Sequence, residues 1–185
     1  MIRMKSKSEL ILDELKRRMT GEKIVEVEEE TVKVVIISLL DGLYAFKGAE
    51  IKEILPIMPV YYVPGSPDFI PGVVNIRGDI ESVISINGFL GLADSKQSPD
   101  SRIVIAEGGG VRSGIIVDSV EDVIDIPASS IKPPMATLGA AAGEYVAGEF
   151  MYGARSVAVL DAGKIFGKLE GAAKEFRASG PEMPA

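Results

Sequence analysis

The groups able to do chemistry are unevenly supplied in this chain. Acids outnumber bases by 27 to 20, for a formal net charge of −7, and the sequence holds no histidine and no cysteine. The usual proton shuttle and the commonest metal ligand are therefore missing, together with any thiol nucleophile, thiolate metal site or disulfide framework. Carboxylates remain. Asp118, Glu121, Asp122 and Asp125 crowd one short stretch, which could bind a cation or serve a carboxylate-based enzymatic or ligand-binding β-barrel. The run lacks the spacing of an EF-hand loop, and a solvated strand face is the simpler expectation. The glycine triplet at 108–110 lacks the lysine and hydroxyl residue of a phosphate loop and reads as a hairpin tip. No cofactor and no metal site are expected.

The other candidate is a single arginine. The stretch "VPGSPDFIPGVVNIRGDI" (63–80) sets Arg77 among apolar neighbours, three prolines and three glycines. Within it, "NIRG" (75–78) ends a strand on a tight turn, for which Gly78 supplies the conformational freedom. Arg77 either holds its head in water over apolar neighbours, pairs with a carboxylate, or anchors an apolar recognition surface. Glu53 is the carboxylate expected beside it. In "EIKEIL" (50–55), strand alternation puts Ile51 and Glu53 on one face and Ile54 on the other. A Glu53–Arg77 ion pair, with the side chains within about 6 Å, would fix the arginine at the edge of a groove.

The elements that must position these residues are mostly short strands. The sequence has 185 residues, 46% of them apolar, enough for one well-cored domain or two small subdomains. "VKVVIISLLDGLYAFKG" (32–48) reads as a hairpin turning at Asp41-Gly42. Further strands are expected at 51–55, 73–76, 80–86, 102–106, 111–117, 120–126, 145–151 and 156–160, with a short helical turn at 87–91. Asp161 is placed to cap a C-terminal helix running to about Arg177, followed by a frayed "ASGPEMPA". Strands this short and this regularly spaced suggest barrels or a sandwich.

The first 31 residues are expected to stand apart. Ser6 and Glu9 fit a capping box, and Ile11, Leu12, Leu15 and Met19 fall on one helical stripe, ahead of an acidic linker, "EVEEE". Such a helix packs on its own domain, docks a partner or pairs with a second copy. No segment has the length of an apolar membrane span and no secretory leader is evident, so a cytoplasmic location is expected. The acidic balance and 6% aromatic content disfavour a nucleic-acid-binding SH3-like module.

An internal echo orders the strands. "YAFKGAEIKEILPI" (44–57) aligns with "SGIIVDSVEDVIDI" (113–126), setting Ile51 opposite Val120, Glu53 opposite Asp122 and Ile54 opposite Val123. "GVVNIRGDIESVISI" (72–86) likewise resembles "GEFMYGARSVAVLD" (148–161). The two pairs keep the same order, which predicts two similar small β-barrels in tandem.

Over roughly residues 32–170 the sequence resembles the CheW family of chemotaxis coupling proteins. The likeness rests on "VPGSPDFIPGVVNIRGDI", "SGIIVDSVEDVIDI", "IKPP" and "GEYVAGEFMYGARSVAVLDAGKIF", in the family's order and spacing. It implies a mainly β fold: two SH3-like five-stranded barrels with short helices, here with added N- and C-terminal helices. It divides the chain into 1–31, a CheW-like domain at 32–170, and 171–185. It also implies a non-enzymatic adaptor joining chemoreceptor cytoplasmic tips, bound in the groove between barrels, to the regulatory domain of a CheA-type histidine kinase, bound at barrel ends. Neither nucleic acid nor direct membrane insertion is implied.

Carried over by position, Arg77, Asn75 and Gly78 match the family's hairpin motif. Glu53, Ile51 and Ile54 match its preceding strand. Where the family usually has proline, then "IDL" and often arginine, this chain has Ser82, "ISI" (84–86) and Asn87. That departure suggests a divergent paralogue, and leaves pathways governing pili, gliding or gene expression as open as flagellar chemotaxis.

Overall fold

The computed structural model describes residues 29–134 and 140–178. The expected N-terminal helix and frayed tail lie outside them. Ten strands follow in order: β1 (Thr31–Leu39), β2 (Gly42–Lys47), β3 (Ile51–Pro56), β4 (Gly72–Ile76), β5 (Asp79–Ile84), β6 (Arg102–Gly108), β7 (Val111–Val117), β8 (Ser119–Pro127), β9 (Val146–Tyr152) and β10 (Arg155–Leu160). Among the described residues there are also two α-helices, a single turn α1 (Ala140–Gly143) and the longer α2 (Ala162–Ala178).

The strands form two five-stranded sheets, ordered β8-β1-β2-β10-β9 and β3-β6-β7-β5-β4, which curl into SH3-like barrels. The repeat seen in the sequence is present, but its halves do not coincide with the barrels. The first half gives β1 and β2 to the first barrel and β3, β4 and β5 to the second. The second half gives β6 and β7 to the second barrel and returns β8, β9 and β10 to the first. Replacing each of β1–β5 by the strand five places later converts one sheet order into the other. The parallel pairs obey the same exchange, β2 with β10 and β7 with β5.

This exchange explains why several strands are apolar on both faces. Alternate side chains of β1 enter different cores: Val34 and Ile36 fill the first barrel, while Val35, Ile37 and Leu39 join a central layer between barrels. In β6, Ile103 and Ile105 fill the second barrel while Val104 and Ala106 face the central layer. An alternating apolar-polar pattern marks a strand wet on one side, and these are not.

Helix α2 covers one side of the central layer with Ala162, Ile165, Phe166 and Leu169. Its start is fixed by Asp161, whose carboxylate accepts the Lys164 N–H at 3.0 Å, as its sequence position predicts. The Glu50 carboxylate accepts the Ala162 N–H from across the domain at 3.1 Å. Gly109 and Gly110, with φ of 60° and 82°, turn the β6–β7 hairpin. Gly108 has a different task, since a Cβ there would lie 2.5 Å from the Gly163 nitrogen.

Two local expectations are corrected. The first hairpin turns at Leu40-Asp41 rather than Asp41-Gly42, because Gly42 already pairs with Leu39. Leu40 takes a φ of 51°, and its N–H is held by the Asp118 carboxylate at 2.6 Å. The second correction concerns β3, where a bulge at Lys52 breaks the alternation: Ile51 pairs with Ala106 and Glu53 with the very next residue, Ile105. Ile51 therefore packs on the central layer beside Ala106, while Glu53 turns to the other face.

Candidate functional site

The hairpin β4–β5 presents Arg77 at one end of the second barrel. Asn75 and Gly78 build its turn, the Asn75 side-chain carbonyl accepting the Gly78 N–H at 2.8 Å. Arg77 itself has a φ of 55°, and Gly78 a φ of 99°. A left-handed conformation disfavours a side chain by roughly 1–2 kcal/mol, so arginine occupies a position where glycine would be easier. The proline-rich approach is stiffened by Ser66 Oγ donating to the Ile70 carbonyl at 3.0 Å, and it is pinned to the body of the protein where the Ser85 N–H donates to the Phe69 carbonyl at 2.9 Å. Beside it the Phe69 ring meets Phe89 at 5.3 Å, and Phe89 stacks on Tyr145 at 5.6 Å.

Arg77 and Glu53 meet as the sequence predicts. The guanidinium donates to both carboxylate oxygens, at 2.5 and 3.4 Å. The Arg77 side chain is 77% exposed and that of Glu53 27%. Strands β3 and β4 are the two ends of their sheet, so this pair bridges the seam where the barrel comes round on itself. A second tie crosses the same seam, Tyr61 and Val73 exchanging backbone hydrogen bonds at 2.8 and 2.9 Å. Gly72 permits it, because a Cβ there would sit 2.2 Å from the Tyr61 carbonyl oxygen.

The structure thus brings together Glu53, Arg77, Asn75 and Gly78. Ile51 stands apart on the far side of the bulge, half-buried against the central layer. Ile54 pairs with Val104 and, because of the bulge, shares the central-layer face of β3 with Ile51 instead of the opposite face that unbroken alternation predicts; it is exposed. Sequence reasoning missed Ile80, which pairs with Asn75 across the hairpin and is 65% exposed. Its signal was the residue type itself, an isoleucine directly after the turn with Asp79 and Glu81 on either side.

The acidic stretch does not converge. Asp118 accepts from Leu40 and Ser95, Asp122 from the Tyr152 hydroxyl at 2.7 Å, and Asp125 pairs with Lys33 at 3.0 Å. Glu121 takes the Ser119 hydroxyl. No group of three acids able to hold a metal occurs among the described residues. The positions that depart from the family pattern have settled into polar contacts. Ser82 meets the Ser113 hydroxyl at 2.9 Å, and Asn87 donates to the Ala93 carbonyl and Ser95 Oγ, both at 2.8 Å. Ser85 and Asn87 also line a polar cavity of about 240 Å³ with Asp68, Asp94 and Asp118.

Two exchanged barrels, a sealed central layer and an arginine hairpin at a barrel end define a class of two-barrel binding domain. The family model for the CheW-like domain matches residues 33–170, and the chain belongs to the CheW family of chemotaxis coupling proteins. It is 26% identical over 148 residues to the chemotaxis protein CheW of Treponema pallidum, covering 78% of this chain and 87% of that one. It is also 29% identical over 101 residues to Protein PilI of Pseudomonas aeruginosa, covering 55% and 57%. Among solved structures, the scaffolding protein TtCheW of Thermoanaerobacter tengcongensis matches with a TM-score of 0.67 and 31% identity, over 76% of this chain and 91% of the other.

Proposed function

We infer that this protein is a non-enzymatic adaptor, joining chemoreceptor cytoplasmic tips to a CheA-type histidine kinase. Receptor tips bind in the groove between the barrels, and the regulatory domain of the kinase binds barrel ends. The protein then works at membrane-bound or soluble receptor arrays. The observation that carries this reading is Arg77. An exposed arginine held in a left-handed turn, tied by Glu53 and bordered by exposed Ile80, is costly as scaffold and useful as a contact. Ile51 and Ile54, on the face toward the central layer, supply the apolar margin of the groove. Asn75 and Gly78 set the hairpin's shape. Two weak contacts on one rigid body raise the local concentration of receptor beside kinase without chemistry.

The test is co-sedimentation of the purified protein with receptor-bearing membranes and kinase. Arg77→Ala lowers receptor recovery while circular dichroism stays that of the parent; undiminished recovery overturns the assignment of this surface. A second reading is favoured by the likeness to Protein PilI and by the polar residues at Ser82, Ser85 and Asn87. In it the same scaffold serves a pathway with another output, such as pili, gliding or gene expression. Mass spectrometry of proteins retained by the full chain separates the two, through which kinase and receptors are recovered.

A further inference from the structure

An apolar groove of about 470 Å³ lies on the first barrel, away from Arg77. Ser130, Lys132, Pro133, Glu149, Phe150, Met151 and Ser156 line it. Met151 is 63% exposed there, a large apolar side chain left facing water. The groove adjoins the place where the chain enters the fold. Glu29 accepts the Ser129 hydroxyl, and the Glu30 carbonyl accepts the Ala128 N–H at 2.7 Å. Residues Ala128–Ser130 form a 3-10 turn whose last residue, Ser130, stands on the lip of the groove.

We propose that this groove is the docking site of the chain's own N-terminal segment, residues 6–19, through the apolar stripe Ile11, Leu12, Leu15 and Met19. Residues 20–28 connect that stripe to Glu29, and nine residues span up to roughly 30 Å, so the tether reaches the groove with slack. Size argues for a tethered helix over a second copy: seven residues line the groove, against about 20–30 a side in a stable dimer. Tethering makes a weak contact sufficient, because a short linker holds its segment at an effective concentration in the millimolar range. Lys132 on the lip offers a charge partner to Glu9, Asp13 and Glu14 of the segment.

The absence of cysteine makes a direct test possible in the full chain. Leu12→Cys with Met151→Cys is compared, under mild oxidation, with Leu12→Cys with Lys33→Cys. Lys33 is exposed and close in sequence to Glu29, so an undocked tail meets it at least as often. The expected result is an intramolecular disulfide formed about tenfold more readily with position 151, as docking raises the local concentration there. Adding Leu15→Glu to that pair should bring its yield down to the control. Equal yields for the two pairs, a yield indifferent to Leu15→Glu, or a disulfide-linked dimer as main product would each overturn the proposal, the last by assigning the groove to a second copy.

Discussion

Glu53 and Asp122 hold equivalent places in the two halves of the chain. Each follows the bulged residue of its strand, Lys52 in β3 and Glu121 in β8, and each reaches across its barrel's seam to the opposite end strand or its turn. Glu53 takes Arg77 and Asp122 takes the Tyr152 hydroxyl. The backbone ties repeat as well, Tyr61 with Val73 in one barrel and Lys132 with Glu149 in the other. One seam is closed by an ion pair and the other by a neutral donor, which gives the two barrel ends different surface chemistry on one framework.

The Glu53–Arg77 tie should contribute little to stability. Exposed ion pairs couple by about 0.2–1 kcal/mol, and a double-mutant cycle with Glu53→Ala and Arg77→Ala, read by urea unfolding, should fall in that range. Arg77→Gly should be more stable than Arg77→Ala by roughly 1 kcal/mol, since glycine accepts the positive φ without strain. Equal stabilities for the two would remove the claim that backbone strain is tolerated there for the sake of the side chain.

The Asp122–Tyr152 tie should be visible in alkali. The hydrogen bond to Asp122, and then burial, raise the Tyr152 hydroxyl above its ordinary value of 10.0. A raised folded pKa gives a contribution that is full below the unfolded value and is lost as pH rises through the folded one. The parent should therefore lose its stability advantage over Tyr152→Phe only above about pH 10. Denaturation midpoints of both proteins between pH 8 and 11, in order-of-magnitude steps of proton activity, measure this directly.

Seam closure also depends on two glycines, Gly72 and Gly148. At Gly148 a Cβ would meet Ile131 Cγ2 at 2.6 Å and the Lys132 carbonyl oxygen at 2.7 Å. Gly148→Ala should cost about 1–3 kcal/mol by forcing the crossing segment off its edge strand. Gly167 in α2 has open space around it, and Gly167→Ala should instead stabilise by roughly 0.5–1 kcal/mol. Thermal unfolding of the two variants should thus shift in opposite directions.

Glu50 should leave a signature in mild acid. Burial raises its carboxyl above the ordinary value of 4.5, opposed by the N–H groups of Ala162 and Lys47, while Asp161 pushes it further up. Its contribution is full below the ordinary value and is lost as pH rises through the folded value. The stability of the parent relative to Glu50→Gln should therefore fall as pH rises from about 4 toward neutrality, as chemical denaturation at several pH values will report. A difference that grows with pH would overturn this account.

Much of this was legible in the sequence. All eight strand segments outside the first hairpin's own pair were anticipated within a few residues or less, because turn residues punctuate them: Gly109-Gly110, Arg77-Gly78 and Gly153-Ala154 each reverse the chain. The echo placed Glu53 opposite Asp122 correctly. What escaped was whatever depends on pairing partners. The bulge at Lys52 that parts Ile51 from Glu53 is set by register against β6. The exchange of strands between barrels is invisible to any local pattern, although the two-faced apolar run of β1 is its imprint. Tyr152 carried no sign of its role, since its counterpart in the echo is Ile76.

The exchange of strands has a consequence for the chain's history and for its engineering. A cut between β5 and β6 would not release two barrels, but two fragments with two strands of one barrel and three of the other. Neither fragment can close a sheet or hide the central layer alone. The duplicated halves are bound like interlocked links: one cannot be deleted, transplanted or left to decay while the other is kept, and a lesion at either barrel end is felt by a body that must fold whole.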